Sequence, residues 1–119
     1  MALAKELVAS GLFGNTAAAV NGSVATGIVA GATQTQAGAT ALPAASNVIG
    51  TVGKTNDGVI LPVAAAGDTV FVRNGGANTA KIYPPVGGAI NGGSANAAVT
   101  IAAGASTTFV YTSTVDSVQ

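Results

Sequence analysis

Gly, Asn, Asp and Pro interrupt the second half of this chain so often that no helix of useful length fits between them. The intervals hold short runs rich in Val, Ile, Thr, Phe and Tyr, which suit a pleated, half-buried backbone. Residues 47–52, 59–61, 69–73, 79–83, 97–101 and 107–111 are therefore predicted strands. The clearest is 69–73, where Thr69, Phe71 and Arg73 alternate with Val70 and Val72. Turn chemistry separates the runs: Lys54-Thr55-Asn56-Asp57-Gly58, Ala66-Gly67-Asp68, Asn74-Gly75-Gly76 and Asn91-Gly92-Gly93 tolerate positive φ, and Pro84-Pro85 ends pairing. Short strands separated by such turns predict an all-β fold, an antiparallel β-sandwich or small barrel.

The first half is less sharply marked. Residues 15–45 carry no charge, but Val20, Val24, Thr26, Ile28, Val29, Thr33 and Thr35 favour extended backbone, so one or two loosely specified strands are expected. Pro43 marks a turn or an edge, because it cannot donate to a central ladder. At the amino terminus Leu3, Leu7 and Val8 lie at helical spacing ahead of Gly11. Residues 1–14 thus read as an extended or short-helical arm, marginal alone, followed by a β-sandwich domain over 15–119.

Charge narrows the functional classes. Lys5, Lys54, Arg73 and Lys81 balance Glu6, Asp57, Asp68 and Asp116 to a net charge of zero. Four scattered cations cannot displace phosphate counterions or bind an anionic bilayer, so neither nucleic acid nor membrane is an expected partner. The amino terminus lacks the basic start and unbroken apolar run of a secretory signal, and no stretch approaches the length of a membrane span. A charged fraction of 7% is far below the roughly 25–35% typical of a soluble small-domain surface. The core must also be gathered from many Val and Ala side chains, each contributing little area. Two readings compete: Thr, Asn, Ser and Gly form a neutral hydrated exterior, or neighbouring subunits bury much of the surface; the second, a homo-oligomer, is the expectation.

With no His and no Cys, the usual general base, thiolate nucleophile and soft metal ligands are missing. The serines have no imidazole to activate them. Asp57 and Asp68 qualify as a carboxylate pair by elimination only, and both sit where a side chain caps its own turn. No calcium-loop spacing is present, and Gly22-Ser23-Val24-Ala25-Thr26-Gly27 lacks the Lys of a phosphate loop. No cofactor, metal or catalytic residue is expected. Of the five aromatic residues, Phe71 and Phe109 are expected in the core. Tyr83 either packs on Pro84-Pro85 or makes a surface contact.

Several segments together resemble a small β-domain common in structural proteins of tailed-bacteriophage virions. They are Thr35-Gln36-Ala37-Gly38-Ala39-Thr40-Ala41-Leu42, Gly58-Val59-Ile60-Leu61-Pro62 leading to Ala66-Gly67-Asp68, and Val72-Arg73-Asn74-Gly75-Gly76-Ala77-Asn78. Ile82-Tyr83-Pro84, Gly88-Ala89-Ile90-Asn91-Gly92 and Asn96-Ala97-Ala98-Val99 reaching Ala102-Ala103-Gly104 continue the pattern, so the resemblance covers residues 34–111. It departs at the end, because 112–119 lacks the closing aromatic residue of that pattern. The resemblance implies a non-catalytic capsid decoration or cement subunit on the virion surface. Such a subunit bridges capsomers, contacts the major capsid protein, associates with itself as a trimer and raises the cost of shell rupture. The contact residues expected on this reading are Leu3, Leu7, Val8, Leu12, Phe13 and Tyr83. A tail, neck or fibre component meeting a receptor or glycan is the alternative. A Thr-rich ice-binding surface is a third reading, weakened because Thr33-Gln34-Thr35 is nearly the only Thr-x-Thr step in the first two-thirds.

Overall fold

The computed structural model describes residues 23–119. The expected arm over 1–14, including Leu3, Leu7, Val8, Leu12 and Phe13, lies outside the described residues. Nine strands and no helix make up the described part. They are β1 (Val24–Val29), β2 (Thr40–Ala41), β3 (Ser46–Thr51), β4 (Gly58–Ile60), β5 (Thr69–Asn74), β6 (Ala80–Tyr83), β7 (Val99–Ile101), β8 (Ser106–Tyr111) and β9 (Ser117–Val118). One sheet has five strands in the order β1-β3-β5-β8-β9, and the other has four in the order β2-β4-β6-β7. Neither closes into a barrel.

The all-β expectation holds, but the antiparallel one is corrected. From β1 to β6 the chain alternates between the two sheets, so strands consecutive in sequence are not neighbours in space. Each strand pairs in parallel with the next strand but one: β1 with β3, β3 with β5, β2 with β4 and β4 with β6. Val24 stands beside Ser46 and Ser46 beside Phe71, separations of 22 and 25 residues. Parallel strands need a long crossover, usually a helix. Here a strand of the opposite sheet fills that role, and the result is a two-sheet winding. The direction reverses only at the end, where β7, β8 and β9 run antiparallel to β6, β5 and β8.

Both sheets feed one core. Ile28, Ile49, Val70, Val72, Phe109 and Tyr111 come from the five-stranded sheet and Val59, Ala80, Ile82 and Ile101 from the four-stranded one. Leu42, Val52, Leu61 and Ile90 fill in from the connections. Two amides are fully buried among them, and each is satisfied. Asn47 donates to the carbonyls of Ala44 (2.8 Å) and Phe71 (3.3 Å) and accepts from Ala44 N. Asn74 donates to Asn78 O and, across the core, to Ile101 O at 3.0 Å, while accepting from Gly76 N. That bond ties β5 to β7, one strand from each sheet.

The outer edge of the five-stranded sheet is irregular. Gly27 adopts φ of 68°, and the β1–β3 register shifts on both sides of Ile28. Such a dislocation bends a strand and spoils its outer row of backbone groups.

Candidate functional site

The carboxylates expected as the only conceivable catalytic pair serve the corners of the winding. Between β3 and β4, Asp57 Oδ2 accepts Lys54 N at 3.0 Å; between β4 and β5, Asp68 Oδ2 accepts Ala65 N at 3.0 Å. Asn47 Oδ1 accepts Ala44 N in the same way between β2 and β3. In all three a side-chain oxygen holds the backbone amide three residues earlier, which closes a tight turn at the point where the chain changes sheet. Asp116 varies the device, accepting Ser113 Oγ at 3.1 Å and Ala89 N at 2.9 Å. Among the described residues no group of three acidic, His or Cys side chains could hold a metal ion.

Asp57 is 2% exposed and also accepts Gln34 Nε2. The carbonyl of the same Gln34 accepts the Tyr83 hydroxyl at 2.8 Å. Tyr83 is therefore buried, its ring close enough to Gly58 that a Cβ there would lie 2.8 Å from Cε2. Its role in this chain is to pin the connection between β1 and β2. The residue is 6% exposed. The sequence neighbours Pro84 and Pro85 gave no hint of this, because the partners lie far back in the chain.

The expectation that both Phe71 and Phe109 lie in the core holds for Phe109, which is 0% exposed, and fails for Phe71. Phe71 is only partly buried and lies on the outer face of the five-stranded sheet with Thr69 and Arg73. Alternation along β5 was the available signal, since Val70 and Val72 take the inner face. Register extends this outer face sideways. Val24, Ser46, Phe71 and Thr108 form one row, Val48, Arg73 and Ser106 a second, and Thr69, Val110 and Val118 a third. Val24 is 68% exposed and Val110 and Val118 about 40%. The only charge in these rows is Arg73, whose Nη1 donates to Gly104 O at 2.9 Å. The face is thus a surface of Val, Phe, Ser and Thr with a single charge, Arg73.

A cleft of about 110 Å³ opens beside two of the corners. Pro43, Ala44 and Ala45 line one side and Pro62, Val63 and Ala64 another, with Asp68, Thr69 and Val70 completing it. Behind Pro62, the Tyr111 hydroxyl donates to the Pro62 carbonyl, while Tyr111 N donates to Asp68 O and its own carbonyl accepts Gly67 N. Burial, then the Asp68 charge, pushes the Tyr111 phenol well above its ordinary ionisation range. Comparison with protein-family models, with curated proteins and with solved structures returned no match.

Proposed function

We propose that this chain is a structural subunit of a virion, a capsid decoration or cement protein. On this reading it sits on the shell, contacts the major capsid protein and associates with copies of itself as a trimer. The two sheets act as the facing layers of a sandwich-like body, and the leading segment with Leu3, Leu7, Val8, Leu12 and Phe13 reaches a neighbour. The supporting observation is the sparsely charged outer face through Val24, Phe71, Val110 and Val118, on a body whose carboxylates brace its own turns. A surface of that kind gains from being covered and has little to attract ions or polar substrates. The work is mechanical: area buried at each seam between capsomers adds to the free energy needed to open it.

Purified protein is expected to run as a trimer by light scattering and to bind mature shells that lack it. A stable monomer that ignores such shells overturns the proposal. Densitometry of purified particles separates the tail, neck or fibre alternative, since a decoration subunit is present in hundreds of copies and a tail component in a few to dozens.

A further inference from the structure

We infer that the cleft between the Pro43 and Pro62 corners is a socket for one lysine side chain of an adjoining protein chain. Its size sets the class of occupant. Sites for small molecules and cofactors run to about 300–1,000 Å³, and 110 Å³ holds a single side chain. The walls suit an alkyl stem: two prolines, Val63, which is 66% exposed, and three alanines. Asp68 suits the tip. Among the described residues no Lys or Arg lines the cleft, and the hydrogen bond that the Asp68 carboxylate accepts is from Ala65 N.

That bond occupies Oδ2 and leaves Oδ1 for a visitor. A guanidinium seeks two carboxylate oxygens side by side, whereas an ammonium is a point charge that one oxygen satisfies. Lysine is therefore the better fit. The socket is also fixed in shape, because the turn bond of Asp68 and the Tyr111 hydroxyl on Pro62 hold one wall from behind. The inference rests on the particle-subunit reading only for the source of the lysine, a neighbouring subunit in the assembly.

The test uses the native chain in solution. Nα-acetyl-lysine methylamide is titrated while backbone amide resonances are followed, and its Nε-acetylated form, which keeps the stem and loses the charge, is the comparison. Saturable shifts are expected at residues 44–45, 63–64 and 68–70 with millimolar affinity. The neutral form should bind about fivefold more weakly, in line with a partly exposed charge pair. In Asp68→Asn the two probes should become equal. Raising the salt concentration on the native chain should narrow the difference between them, a check that does not depend on the variant folding. Equal affinity of the two probes for the native chain, or shifts scattered away from the cleft, overturns the inference. Neither result bears on whether the protein binds shells, so the two proposals fail separately.

Discussion

The winding from β1 to β6 and the reversal from β7 to β9 use similar residues under different constraints. In the winding, every strand pair joins segments 19 to 25 residues apart, and the changes of sheet from β2 to β5 are corners held by side chains. Asn47, Asp57 and Asp68 do that work. In the reversal, β8 lies directly on β5 over five paired positions and continues to β9, so a continuous backbone ladder carries the register. Corners hold the first region in place; pairing holds the second. The difference teaches that the winding is vulnerable at single polar atoms and the reversal at its packed side chains.

Phe109→Ala tests the reversal and carries the largest expected effect. Phe109 is 0% exposed and pairs with Val70, so its removal should cost about 3–5 kcal/mol in denaturant unfolding. Because the core is shared, hydrogen exchange should accelerate in both regions; acceleration confined to β7–β9 would show that the two unfold separately. Asn74→Ala comes next, since it removes the tie between the sheets and strands the Ile101 and Asn78 carbonyls and the Gly76 amide. A loss of about 2–4 kcal/mol is expected from the same measurement.

Alkaline titration distinguishes the regions by proton release. The Tyr111 phenol is raised in the folded state, so its contribution is intact below the ordinary value of about 10. It is lost as pH rises above that value, because the unfolded chain gives up the proton first. Native protein should lose about 1.4 kcal/mol of stability per pH unit there more than Tyr111→Phe does. The smallest effect is Ser117→Ala. The Ser117 hydroxyl is buried with no hydrogen-bond partner among the described residues, while its backbone bonds to Ala89 and Asn91 survive the change. Unfolding should shift by less than about 0.5 kcal/mol, toward greater stability if at all.

Strand positions were legible because β-branched runs end at residues that break pairing. The expected strands at 59–61, 69–73 and 107–111 fall within a residue of β4, β5 and β8. Their partners were not legible, because a corner between two sheets and a hairpin within one sheet draw on the same Gly, Asn and Asp chemistry. Lys54 to Gly58 reads locally as a hairpin loop, yet β3 and β4 lie in different sheets, and positive φ falls on Asn56. The outer face was half legible: alternation around Phe71 marks it, but only register brings Val24, Val110 and Val118 alongside. Nothing near Pro43 in sequence points to Pro62 or Asp68, since the cleft they share arises where two corners stack.

The slipped register at Gly27 has a consequence for how copies can meet. A winding whose first strand was straight would end in a ready template, and molecules could polymerise end to end without limit into fibres. The kink at β1 interrupts that template after a few residues. Strand addition along this edge is therefore blunted.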